Sequence, residues 1–222
     1  MTQGSRVIDL VAVMDRLRSP GGCPWDARQT HATLVEYLIE EAYETVEAIE
    51  TDDDAGLREE LGDLLLQVVF HARIAQERAE SPWSIDDVAD GIIAKLVRRH
   101  PHVFADGTAS TAEDVEANWH AIKAQEKGRS SVTEGIPAAL PSLVHIGKVL
   151  ARSATLTLPP LPQGSAAAAA AAALASIDSE EEFGDLLVAL VALARERGID
   201  AEAAGRGASR RLVERIRAVE TP

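Results

Sequence analysis

The sequence predicts an all-α protein, a bundle of long helices, on three observations. Apolar residues recur at three- and four-residue intervals through most of the chain, and no window shows convincing strand alternation. Aromatic residues make up only 4% of the sequence, while Ala, Leu, Val and Glu are abundant, a balance that favours helices over sheets. Stretches rich in Gly and Pro punctuate the periodic segments. With 222 residues, 46% of them hydrophobic, the chain can bury a sizeable core in one ordinary domain or two small ones.

The elements follow in order. Residues 5–18 space Val7, Leu10, Val11, Met14 and Leu17 as one helical face. "SPGGCPWD" (19–26) then stops the helix; Trp25 is expected to anchor this loop and Asp26 to act as a cap. A helix over about 30–50 carries an apolar stripe of Leu34, Leu38, Ala42, Val46 and Ile49. "TDDDAG" is a turn whose aspartates can cap the next helix, about 55–79, with Leu57, Leu61, Leu64, Leu65, Val68, Val69 and Ala72 on one face. Further helices are expected at about 84–99, 112–127 and 138–153. "LTLPPLPQGS" (156–165) is a Pro-rich linker, followed by eight alanines and helical patterns at about 179–197 and 200–218. The domain reading is 1–155, a linker at 156–165, and a second unit at 166–222.

Charge and cysteine content narrow the function. A net charge of −14 argues against a nucleic-acid polymer or an anionic membrane as partner. No apolar run reaches the roughly 18 residues of a membrane span, and no N-terminal signal core is visible. The single cysteine, Cys23, suits a reducing compartment. A cytoplasmic protein is expected.

The chain echoes itself. "EELGDLLLQVVFHAR" (59–73) and "EEFGDLLVALVALAR" (181–195) agree at nine of fifteen positions, which points to duplication. At the same offset Glu41 falls on Gln163 and Glu44 on Ala166. The second unit therefore keeps one acidic pair and lacks the other.

The acids are the chemical signal. Glu41 and Glu44 are three residues apart on one helix, Glu60 and Asp63 three apart on the next, so each pair shares a helical face. An antiparallel hairpin through "TDDDAG" sets the pairs opposite each other. Residues 36–63 hold twelve acids against one base, Arg58. A lone Glu-x-x-Glu is usually a solvated face; two pairs on consecutive helices, beside apolar stripes, are less easily explained that way. Converging carboxylates raise one another's pKa, and a hard divalent cation relieves the repulsion. Mg²⁺, with Mn²⁺ as a substitute, takes such oxygen ligands and commonly shares its shell with phosphates. No Cys or His at matching spacing suggests zinc, and no Glu-x-x-His suggests a di-iron site. Gly62, between Glu60 and Asp63, costs about 1 kcal/mol of helix propensity relative to Ala, which close approach of a helix or ligand would offset. Cations for a phosphate ligand are at hand in Lys95, Arg98 and Arg99, and in Lys123, which lies four residues after Trp119. Trp119 could stack on a base. His71 is read as packing, and His100 and His102 as part of a helix-ending turn.

Taken together, "GGCPWD" (21–26), "QT" (29–30), "EEAYE" (40–44), "EELGDLLLQVVFHA" (59–72), "KLVRRHPHVF" (95–104) and "NWHAIKAQEK" (118–127) resemble the MazG family of nucleoside triphosphate pyrophosphohydrolases. The resemblance implies an α-helical, dimeric fold that converts a nucleoside triphosphate and water to the monophosphate and pyrophosphate. It implies Mg²⁺ on Glu41, Glu44, Glu60 and Asp63, and Glu40 as an acid that orients or activates water. Lys95, Arg99, Trp119 and Lys123 match nucleotide-contacting positions, with Arg98 adjacent as a further substrate-binding candidate and Lys95 and Arg99 stabilising charge in the reaction. Two other readings stand beside this one: a pyrophosphohydrolase of narrow, dUTP-like specificity, and a catalytically silent helical module that binds nucleotide or protein.

Overall fold

The computed structural model describes residues 4–105, 111–115, 119, 131–154, 156 and 165–220, and every regular element among them is helical. In chain order these are α1 Ser5–Arg18, α2 Pro24–Arg28, α3 Val35–Glu50, α4 Asp54–Gln76, α5 Ile85–Arg99, α6 Pro101–Phe104, α7 Ser142–Ser153, α8 Ala166–Ala175, α9 Glu180–Glu196 and α10 Ala201–Glu220. The all-α expectation holds. The chain forms two compact units, Met1–Lys123 and Ala124–Pro222. The expected helix 138–153 is therefore part of the second unit, where α7 packs on α9. It starts only at Ser142, because Pro141 is its N-cap.

In the first unit α3 and α4 form a hairpin, α1 packs on α4, and α5 follows α4. Asp52 sits at a φ of 55° to make the connecting turn, and the Asp53 side chain accepts a hydrogen bond from the Gly56 N–H at 3.0 Å to cap α4. The core joins Met14 of α1, Leu34 and, from α4, Val69 and Phe70, with Leu10, Val11 and Leu17 packed against it. Helix α3 starts at Val35 rather than near 30. The Thr30 and Thr33 hydroxyls accept from each other's backbone N–H groups and hold a turn there.

The buried faces of this hairpin differ from the expected stripes. On α3 the buried positions are Thr45 and Ala48, while Leu38 and Ile49 lie exposed. On α4 they are Gln67, Val69, Phe70, Ala72 and Ala75, with Leu61 and Val68 exposed. Helix α3 thus turns toward α4 the side that carries Glu41, Thr45 and Ala48, and leaves apolar surface outside.

Two short helices, α2 and α6, lie beyond what the sequence pattern predicts; each begins with a proline at its first turn, where the missing N–H costs nothing. Cys23 is the N-cap of α2 and no side chain caps it, so Asp26 does not play that part. Gly21 has a φ of +77°, and a Cβ on Gly22 would run into the Arg16 and Leu17 carbonyl oxygens. The turn after α1 therefore requires glycine at both positions.

The second unit repeats the arrangement with smaller side chains. Helices α8 and α9 form its hairpin and α10 follows α9. Ala169 and Ala170 pack with Leu186 and Ala189. The matched arginines have matched jobs: Arg73 reaches Asp15 of α1 through Nε at 2.8 Å, and Arg195 donates to the Gly147 carbonyl of α7 at 3.1 Å.

Candidate metal centre

The hairpin brings Glu41 of α3 together with Glu60 and Asp63 of α4. Each offers a carboxylate oxygen, and these oxygens lie within 4.8 Å of one another; all three residues are half-buried. The arrangement follows from the sequence. Glu60 and Asp63 are one turn apart on α4, and the tight Asp52–Asp53 turn sets α3 back along it in opposite sense.

Electrostatics mark the cluster as a site short of positive charge. Partial burial and then the charges of Asp63, Glu44, Glu60 and Glu40 raise the pKa of Glu41 above the usual carboxylate value. Partial burial raises that of Glu60 too, followed by the Glu44, Asp63 and Glu59 charges. Both groups are driven toward protons, and a cation would serve in their place. Glu44 and Glu40 are exposed. Glu44 borders the cluster and acts on both raised groups, and Glu40 adds its charge to Glu41. A Cβ placed on Gly62 meets nothing within 4 Å among the described residues, so none of them accounts for that glycine by close contact.

Three oxygen donors that crowd together and repel suit a hard divalent cation rather than a thiophilic one. Among the described residues no other group of three His, Cys, Asp or Glu has this geometry. In α9 the corresponding pair is Glu182 and Asp185. Glu182 is occupied: its carboxylate accepts from the Asp178 N–H at 2.7 Å and the Ser179 hydroxyl at 3.1 Å, and Ser179 accepts from the Glu182 N–H at 3.2 Å. Its carboxylate is engaged at the start of its own helix.

Comparison with known proteins decides the family. The model of the MazG nucleotide pyrophosphohydrolase domain matches residues 29–104. A protein of Thermotoga maritima named nucleoside triphosphate pyrophosphohydrolase/pyrophosphatase MazG is 42% identical over 221 residues, covering 96% of this chain and 84% of that one. The chain belongs to the MazG family. A nucleoside triphosphate pyrophosphohydrolase of Escherichia coli K12 is likewise 42% identical, with 95% and 86% covered. An uncharacterized 26.1 kDa protein of Streptomyces cacaoi is 48% identical, with 98% and 84% covered.

Within the MazG match lie the cluster and part of the basic set, Lys95, Arg98 and Arg99. The structure separates Lys95 from Arg99 although they share a helical face. Lys95 and Arg98 are exposed, while Arg99 is 8% exposed with its guanidinium 4.9 Å from the Trp119 ring centroid. Lys123 lies outside the described residues.

Sequence reasoning takes His71 for packing and misses its pairing. His31 Nδ1 and His71 Nδ1 are 2.8 Å apart, the ring planes differ by 6° and the centroids are 5.1 Å apart. Burial, then His31, lowers the His71 pKa, and His71 Nε2 is buried with no partner among the described residues. The pair ties the segment before α3 to α4. The forty-residue separation hides it from any local pattern.

Proposed function

We propose that this MazG-family chain hydrolyses nucleoside triphosphates to the monophosphate and pyrophosphate, with Glu41, Glu44, Glu60 and Asp63 holding Mg²⁺, or Mn²⁺ in its place. The observation that carries this is the cluster of Glu41, Glu60 and Asp63, whose oxygens crowd within 4.8 Å and whose glutamates are pushed toward protonation. When bound, Mg²⁺ neutralises triphosphate charge and makes water a better nucleophile.

The chain's own residues do the rest. Glu40, exposed beside Glu41, orients the attacking water and accepts its proton. Lys95 and Arg98 on exposed α5 positions, together with Lys123, draw the phosphates in and offset charge that builds on them. They also steer an anionic substrate toward a strongly acidic protein. Arg99 is held against Trp119, and in this reading the pair borders the bound nucleotide.

The first unit carries the reaction, and the second, with linker and polyalanine where the first acidic pair would stand, is a degenerate copy that serves packing. A homodimer is part of the reading. Ile8, Ile93 and Val103 of the first unit are 72%, 55% and 64% exposed, apolar side chains that a second copy would cover. The protein works in the cytoplasm on free nucleotides. No described helix is long and apolar enough to cross a membrane, and the charge of −14 disfavours nucleic-acid polymers.

The test is product analysis by ³¹P NMR on a panel of ribo- and deoxyribonucleoside triphosphates, with Mg²⁺ and with chelator. Metal-dependent appearance of pyrophosphate and monophosphate, lost in Asp63→Asn, is expected. Diphosphate and orthophosphate as products would refute the proposed bond cleavage. Activity confined to one base would favour the narrow-specificity reading, and nucleotide binding with no turnover the silent module.

A further inference from the structure

The sequence singles out Trp119 for base stacking, yet that ring is already engaged. Arg99 covers one face at 4.9 Å, the His100 ring stands edge-on at 5.2 Å, and Trp119 is half-buried. Another aromatic pair is open. Trp25 of α2 and Tyr37 of α3 meet edge to face, centroids 5.9 Å apart and planes at 78°, and remain 44% and 37% exposed.

Position gives this pair meaning. Tyr37 precedes Glu41 by one helical turn and Glu44 by two, so the three share a stripe of α3. Trp25 is held with care. A five-residue helix cannot sustain itself, but α2 is tied down at several points. Gln29 Nε2 donates to the Trp25 carbonyl at 3.0 Å. Arg18 Nη1 donates to the carbonyls of Asp26 and, at 3.2 Å, Gln29. The same guanidinium grips Glu77, at the end of α4, through Nε and Nη2 at 2.9 and 2.6 Å, and it lies 5.4 Å from the Phe70 ring centroid. A buried arginine thus fastens the segment that carries Trp25 to α1 and α4, while the indole itself is left in water.

We propose that Trp25 and Tyr37 form the platform on which the substrate's nucleobase stacks, one turn along α3 from the acids that handle the triphosphate. The proposal rests on the pyrophosphohydrolase reading of those acids and extends it to the other end of the substrate. Every base has a π-face, so stacking accepts all of them and favours the larger purines. The resulting enzyme is tolerant of base identity and requires that a base be present.

The experiment is calorimetric titration of the full chain, in Mg²⁺, with two ligands: adenosine 5′-(α,β-imido)triphosphate and inorganic tripolyphosphate. The proteins are wild type, Trp25→Ala, Tyr37→Ala and the ring-preserving Trp25→Phe and Tyr37→Phe, all compared for helix content. Each Ala variant is expected to bind the nucleotide analogue about 10-fold more weakly, with tripolyphosphate affinity unchanged and the Phe variants close to wild type. Unchanged analogue affinity in both Ala variants overturns the platform, as does an equal loss for both ligands. Should the Ala variants lose helix content, Trp25→Leu and Tyr37→Leu take their place: a loss confined to the nucleotide supports the platform, and no loss overturns it. Failure of the hydrolase reading is visible separately: the expected binding pattern without pyrophosphate release keeps the platform and removes the reaction.

Discussion

Glu41→Gln should stabilise the metal-free protein and at the same time remove its response to Mg²⁺. The Glu41 carboxylate has oxygens of Glu60 and Asp63 within 4.8 Å. Two unit charges at that distance repel by about 0.9 kcal/mol at water's dielectric constant and about 3.5 kcal/mol at an effective value of 20. Glu41 is half-buried and solvent-screened on one side, so the lower figure governs. Removing two such repulsions gains about 1–2 kcal/mol, because Gln and Glu have nearly equal helix propensity. For a chain of this size that is roughly 3–6 °C in Tm. Wild type in Mg²⁺ at a hundred times its Kd gains about 2.7 kcal/mol, whereas the variant, with one of three clustered ligands gone, gains a small part of that. Thermal unfolding followed by circular dichroism, in EDTA and in saturating Mg²⁺, reads both effects. A variant less stable than wild type in EDTA, or one with the full Mg²⁺ gain, would refute the reasoning.

Three further outcomes can be measured. The Arg18 hydrogen bonds, opposed in part by burial, hold the Glu77 carboxyl below its usual pKa, so its stabilisation is complete above pH 4.5 and lost as pH falls through the lower folded value. Glu77→Gln should therefore cost about 2 kcal/mol near neutrality, less than the ~3–5 kcal/mol of a fully buried pair because the Glu77 side chain is 38% exposed; a gap in urea midpoints that does not close in acid would contradict this. Gly22→Ala drives its Cβ into backbone oxygens and should cost about 1–3 kcal/mol, read as a lower urea midpoint with unchanged slope. Ser179→Ala removes the cap of α9 and should cost about 1 kcal/mol, seen as faster amide exchange confined to Glu180–Glu182; equal exchange across α9 would mean that the Ser179 cap is not holding the helix end.

The long helices are legible in period and punctuation, and the Glu-x-x-Glu and Glu-x-x-Asp spacings with a short turn between them locate the cluster. Helical rotation is not legible. Leu38 and Ile49 read as core because apolar residues are assumed to face inward, yet α3 turns Thr45 and Ala48 to α4 and leaves those two outside. The rule runs one way only, since a folded surface keeps much apolar area in water. Trp119 invites a base by its residue type, but Arg99 covers that face, and the link between Arg18 and Glu77 joins residues fifty-nine apart, beyond any local pattern. The helices α2 and α6 are too short for periodicity to register.

Glu182 has a consequence for how this chain could change. In the hairpin α3–α4 the equivalent acid, Glu60, is left in repulsion with its neighbours, available to whatever brings positive charge. In α8–α9 the matching acid holds the start of its own helix. An ion recruited beside the alanine helix by grafted glutamates would therefore share Glu182 with the two donors that already hold its Oε2. Metal binding in this unit would compete with the start of a helix, a competition that Glu60 does not face.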